Sequence, residues 1–150
     1  MHAALTIRPS LPIDAEYVVA LKERTMRADL ERLGRWASDR SRARVLAAFS
    51  IEHTRIIELD GEPIGSISLR PAADGRWLEL FYLEPSMQGR GLGSTVLERV
   101  LAEPGDGLLR LDVLQGSRAR ALYERHGFVF ESEDEIDVFL VRHPAPAPLT

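Results

Sequence analysis

The sequence predicts an α/β domain built on a mixed sheet, and three observations carry that expectation. Strand-length apolar or alternating runs are interleaved with helical patterns in the order strand, two helices, three strands, helix, strand, helix, two strands. The chain has 150 residues, 45% hydrophobic and 28% charged, which suits one globular domain with a usable core. A glycine-rich hexapeptide, Gln88-Gly89-Arg90-Gly91-Leu92-Gly93, joins an apolar run to a helical one.

Each element has its own signal. Leu5 to Arg8 reads as a first strand closed by Pro9. Asp14 is placed to cap a helix whose apolar positions are Val18, Leu21, Leu30 and Leu33, and Gly34 stops it. Asp39 is placed to cap a second helix with Val45, Leu46 and Phe49 on its apolar face. Ile56 to Leu59 is a strand, and Asp60-Gly61 is a hairpin turn. Ile64 to Leu69 alternates, with Gly65, Ile67 and Leu69 on one face, and Asp74-Gly75 makes the next turn. Trp77 to Leu83 is apolar on both faces except for Glu79, as expected at the centre of a sheet. Ser94 to Leu101 is helical, and Leu108 to Val113 alternates as a strand. The helix containing Tyr123 follows, with Gly127 at its end. Phe128 to Phe130 and Ile136 to Val141 form a terminal pair around the acidic run Glu131 to Asp137. Residues 1–142 therefore read as the domain, and 143–150, with three prolines, as a frayed tail.

Composition excludes several functions. No cysteine is present, so disulfides and thiolate metal sites are ruled out. The four histidines show no paired ligand spacing, which predicts no metal site. No apolar run is long enough to span a bilayer, and no signal peptide is visible after Met1, so no membrane association and a cytoplasmic location are expected. The net charge of −4 argues against nucleic-acid binding. The serines lack an obvious His/Asp partner order, which weakens a serine hydrolase reading.

The glycine-rich hexapeptide carries the chemistry. At a strand-to-helix turn, several backbone N–H groups and a helix N-terminus can face one anion. Gly91 and Gly93 let a phosphate approach the backbone, and Arg90 adds a planar cation. The reading is a phosphate or pyrophosphate cradle. A nucleotide P-loop would need Gly-Lys-Ser/Thr, but Ser94-Thr95 follows Gly93 with no lysine. A dinucleotide fingerprint starting at Gly89 would need its third glycine at Ser94. Asp112 lies near the distance of a ribose-binding acid, which alone carries little weight.

Gln88, Gly91 and Gly93 form the pattern Gln-x-x-Gly-x-Gly, which resembles the acetyl-CoA signature of the GNAT family of N-acetyltransferases. Downstream, Ala119 to Phe128 resembles that family's Ala-x-x-Leu-Tyr-x-x-x-Gly-Phe ending. The resemblance covers roughly Ile56 to Phe128. It departs at Gly116, where the family often has asparagine; the neighbouring Gln115 could substitute for that amide.

The resemblance implies a single-domain GNAT-like fold with a mostly antiparallel sheet of six to seven strands. It implies acetyl-CoA as acyl donor and an amine, on a small molecule or a peptide, as acceptor. With no cysteine available for an acyl-enzyme, transfer would be direct, in a ternary complex. The resemblance places Gln88, Gly89, Arg90, Gly91, Leu92, Gly93 and Ser94 around the cofactor phosphates. The backbone of Phe81, Tyr82 and Leu83 would pair with the pantetheine arm, and Arg118 could reach the nucleotide phosphates. Tyr123 is the candidate acid, since a phenol with a pKa of about 10 can return a proton to a thiolate. Packing on the final helix is its alternative role. Glu79, the one carboxylate in its apolar run, is the candidate base; pairing with an arginine is the alternative. Glu84 is expected to face solvent. The segment from Tyr17 to Phe49, with Trp36, would wall the acceptor side, and the acidic run beginning at Glu131 could steer a cationic amine. The resemblance also allows a homodimer. A noncatalytic acyl-CoA-binding module is the alternative function.

Overall fold

Among the described residues, seven strands and four helices follow one another in the expected order. The computed structural model describes residues 4–144. The elements are β1 (Leu5–Pro9), α1 (Asp14–Arg32), α2 (Ser38–Ala48), β2 (Thr54–Leu59), β3 (Glu62–Ala72), β4 (Gly75–Leu83), α3 (Leu92–Leu101), β5 (Leu108–Leu114), α4 (Ala119–Arg125), β6 (Val129–Glu133) and β7 (Asp137–Arg142). The sheet order is β1-β2-β3-β4-β5-β7-β6. Every pairing is antiparallel except β4 with β5.

Helices cover both faces of the sheet. On one face, Val96, Leu97 and Val100 of α3 and Tyr123 of α4 pack with Ile57, Ile67, Leu78, Leu111 and Leu140. On the other, Val18 of α1 and Val45 of α2 pack with Ile56 and Leu80. Neighbouring Ile56 and Ile57 thus feed opposite cores, as the strand period of two requires. Continuous burial on both faces explains why this part of the sequence reads as apolar throughout.

Two local features shape the site. First, β4 carries a bulge: Ser68 pairs with Glu79 while Ser66 pairs with Tyr82, so Leu80 and Phe81 lie opposite Ile67. Leu80 sits at φ 52°, and its carbonyl accepts a 2.6 Å hydrogen bond from the buried Ser66 hydroxyl. The bulge switches faces, because Leu78 enters the α3 core whereas Leu80, two residues on, enters the α1/α2 core. Second, β4 and β5 pair only from Gly75–Trp77 to Leu108–Arg110. Beyond Trp77 the strands separate, which opens a cleft between them.

Several sequence expectations need correction. Asp14 begins α1 instead of preceding it as its cap. Its buried carboxylate accepts hydrogen bonds from Arg8 and from the Leu11 N–H. Leu46 points outward, 43% exposed, because the covered stripe of α2 runs through Ser41 and Val45. Glu84 does not face solvent: Tyr17 donates to it at 2.8 Å and Arg24 at 2.9 Å, which ties α1 to the end of β4. Residues 145–150, most of the expected tail, lie outside the described residues.

Candidate active site

The glycine-rich loop forms where the sequence places it. After β4, a short 3-10 turn (Pro85–Met87) leads through Gln88 to Gly91, the N-cap of α3. Gly89 and Gly91 have φ of 76° and 77°, a conformation that disfavours any side chain. A Cβ at either would meet no atom within 4 Å, so the space beside the loop is open. No side chain caps α3, leaving its first N–H groups to face a ligand. Gln88 donates through Nε2 to the Leu83 carbonyl at 3.1 Å, which closes the loop back onto β4. Gly93 lies inward, 3.4 Å from Leu122 by its missing Cβ, so a larger residue would push α3 from α4. Ser94 makes a 3.2 Å hydrogen bond with His126 Nε2. Arg90 is exposed on the loop, and Arg118 is exposed at the N-cap of α4. The open loop, the uncapped helix and the cations suit a pyrophosphate-bearing cofactor such as CoA.

The cleft between β4 and β5 has a volume of about 330 Å³. Glu79, Phe81, Tyr82, Asp112, Tyr123 and Asp137 contribute to its lining. Strand β4 pairs with β5 only as far as Trp77, so the backbone edge of Phe81 to Leu83 that faces the gap has no strand partner there. Tyr123 is 6% exposed and stacks edge-on with Phe81 and Phe128 at ring separations of 6.3 and 5.7 Å. Burial, with the nearby Tyr82 and the Asp112 charge, pushes its phenol well above the usual range. The hydroxyl therefore keeps its proton through neutral pH. Packing and cleft-lining turn out to be compatible roles.

Glu79 lines the cleft and is also held by Arg70 of β3, at 2.5 Å. A second carboxylate, which sequence reasoning weighed only as a ribose-binding acid, also lines the cleft. Asp112 alternates with the buried Leu111 and Val113, so it points to the opposite face of β5, into the cleft. Water reaches it through the cleft, yet protein surrounds it on most sides. Burial, then the charge and hydrogen bonding of Asp137, then the charge of Glu79, raise its pKa to about 6. The register explains the pair: Asp112 faces Phe139 and Leu114 faces Asp137, which sets the two acids diagonally on one face. The only sequence signal was a carboxylate on the polar face of an alternating strand. Among the described residues, no group of three or more acidic, histidine or cysteine side chains is arranged to hold a metal ion.

At Gly116 the chain turns with φ 77°, and a Cβ there would meet Arg32 at 3.1 Å. Gln115 does not turn toward the cleft. Its amide donates to the Asp134 carbonyl at 2.9 Å, and its own carbonyl accepts from Arg32 at 2.5 Å. It pins the β6–β7 turn to β5.

Residues 50–130, more than half of the chain, match the model of the acetyltransferase (GNAT) domain. The chain belongs to the GNAT family. The GNAT fold extends over nearly its whole length. An acetyltransferase from Thermus thermophilus is 22% identical, with a TM-score of 0.75 over 96% of this chain and 100% of that one. The PaiA N-acetyltransferase of Thermoplasma acidophilum, in complex with coenzyme A, is 21% identical, with a TM-score of 0.73 over 94% and 99%. The ribosomal-protein-S18-alanine N-acetyltransferase of Escherichia coli is 18% identical, with a TM-score of 0.75 over 97% of each chain. No curated protein sequence matches this GNAT chain significantly. Among the described residues, no helix is long and apolar enough to cross a membrane.

Proposed function

We propose that this GNAT protein is an acetyl-CoA-dependent N-acetyltransferase that transfers the acetyl group directly to an amine in a ternary complex. The observation that carries the reading is the continuity of two features. Strand β4, which lines a cleft together with Tyr123 and the Asp112–Asp137 pair, runs on into an open glycine loop and an uncapped helix N-terminus. The complex of the Thermoplasma PaiA enzyme with coenzyme A supports the choice of cofactor.

Acetyl-CoA supplies an activated acyl carbon that an uncharged amine attacks. The loop from Gln88 to Ser94 holds the phosphates, with Arg90 and Arg118 as added cations, and the β4 edge from Phe81 to Leu83 aligns the arm. Backbone N–H groups of that edge stabilise the negative charge that builds on the carbonyl oxygen. The ammonium proton passes to a cleft carboxylate. Asp112 is better matched to that role than Glu79, because its raised pKa fits proton transfer near neutrality while Arg70 holds Glu79 in an ion pair. Tyr123 donates its proton to the sulfur as the carbon–sulfur bond breaks, and the second proton shed by the acylated nitrogen restores the phenol.

A thermal-shift comparison with acetyl-CoA, CoA, ATP and NAD tests the cofactor first. At a hundredfold excess over Kd, a ligand of the folded state adds about 2.7 kcal/mol of stability. Selective stabilisation by the two CoA species, followed by thiol release with an amine panel, is the expected result. Tight CoA binding without turnover on any amine would instead identify a noncatalytic module.

A further inference from the structure

The α1–α2 wall of the cleft carries a set of cations. Arg35, Arg40 and Arg44 line both the cleft and the depression that continues from it toward the β6–β7 turn. Several arginines elsewhere are paired: Arg8, Arg24, Arg42, Arg55, Arg70 and Arg110 each lie within 4.0 Å of a carboxylate. Among the described residues, Arg35, Arg40 and Arg44 have no such partner; Arg40 donates only to the Arg35 carbonyl, at 2.9 Å. Arg40 and Arg44 stand four apart on α2, a spacing at which like charges repel. An anion between them would remove that cost.

The same cleft also holds carboxylates. Asp112 and Glu79 lie there with Lys22, the single lysine of the chain, and Asp137 lines both the cleft and the depression. The acids Asp134 and Glu135 line the outer depression with the arginines, so the mouth as a whole is not a trap for polyanions. Both signs of charge therefore line one path: Asp112 and Asp137 can receive an ammonium group, and the guanidinium groups of Arg35, Arg40 and Arg44 on the facing wall can receive an anion. A volume of about 330 Å³ is small for a ligand site, and the acetyl end of the donor must share it.

Building on the N-acetyltransferase reading, we infer that the acceptor is a small zwitterion, an amine bearing a carboxylate or phosphate that Arg35, Arg40 and Arg44 engage while the amine meets Asp112 and Asp137. This site selects amino-acid-like molecules over polyamines, neutral amines and long peptides.

Thiol release from acetyl-CoA, measured across matched acceptors, tests the assignment. Free amino acids are compared with their amides, aminoalkyl phosphates with the parent amino alcohols, and both sets with diamines and peptides of about eight residues. The expected result is that the anionic member of at least one set exceeds its neutral partner by about tenfold or more in kcat/KM. The set showing the larger ratio distinguishes carboxylate from phosphate. R40Q and R44Q should raise KM for the anionic acceptor and narrow the ratio, while R44K restores part of it. Thermal melting of each variant checks that it folds. Equal or better turnover of amides, diamines or peptides would overturn the zwitterion while leaving the transferase reading intact. CoA binding without thiol release on any acceptor would overturn both.

Discussion

At the scale of single residues, the same side chain often has a structural and a chemical task. Tyr123 fills the core between Phe81 and Phe128 and is also among the residues that line the cleft. Y123F keeps the rings packed and removes only the proton donor. It should lower kcat by about 10²-fold with acetyl-CoA affinity retained, as steady-state kinetics and calorimetry would show. A parallel loss of affinity would mean that the phenol serves binding. Asp112 supports a pH prediction. Its folded pKa lies above that of a free aspartate, so the folded chain keeps this proton longer than the unfolded chain. Stability therefore falls as pH rises from the ordinary aspartate range to about 6, while activity rises as the carboxylate ionises. D112N should abolish the acidic limb of the kcat/KM profile and lower activity by about 10²-fold. It should also raise Tm near neutrality by ~2 °C, since a like-charge pair is relieved. An unaltered acidic limb would assign the proton to another group, with Glu79 next to be tested. Glu79 illustrates what the sequence left open: its strand position was legible, but its partner Arg70 comes from the neighbouring strand.

At the scale of elements, the glycine loop and the bulge divide the labour of making a binding edge. The loop was legible because Gly89 and Gly91 take a left-handed conformation and Gly93 sits against Leu122, three requirements that leave a pattern in sequence. G91A meets no steric obstacle, so the protein should fold, at a cost of about 1–2 kcal/mol for the left-handed backbone. The altered loop should weaken CoA binding by roughly tenfold, to be read by calorimetry beside a denaturant melt. Retained affinity would show that α3 needs no help from this turn. The bulge was not legible. Leu80 is a left-handed leucine, made tolerable by the Ser66 hydroxyl on its carbonyl, and neither residue announces this role. Glu84 misleads for a related reason. A glutamate before a proline reads as exposed, yet Arg24 and Tyr17 from α1 gather around it and hold its carboxyl below the usual range.

At the scale of the whole molecule, the cleft exists because the sheet is joined at one end only. The four strands β1 to β4 meet the trio β5, β7 and β6 through Gly75–Trp77 and Leu108–Arg110. Close backbone approach holds that vertex, since a Cβ on Gly75 would lie 1.8 Å from the Leu108 carbonyl oxygen. Ion pairs from Arg110 to Asp74 and Glu131 brace it from both sides. G75A should therefore destabilise the fold by about 3 kcal/mol, because the clash is with backbone and cannot relax by a rotamer change. Equilibrium denaturation measures this, and a loss below about 1 kcal/mol would show that the vertex is compliant.

The sequence by itself determined the element order, the family motifs and the position of the glycine-rich loop. These follow from local rules: strand and helix periods, turn residues, and glycine where a side chain cannot stand. Tertiary structure alone decided the separation of β4 from β5, the inward face of Asp112 and its diagonal neighbour Asp137. It also set the arginine rim opposite them. Those depend on which strand lies beside which and in what register, and β5 finds β4 and β7 only when distant parts of the chain are brought together to bury both faces of one sheet.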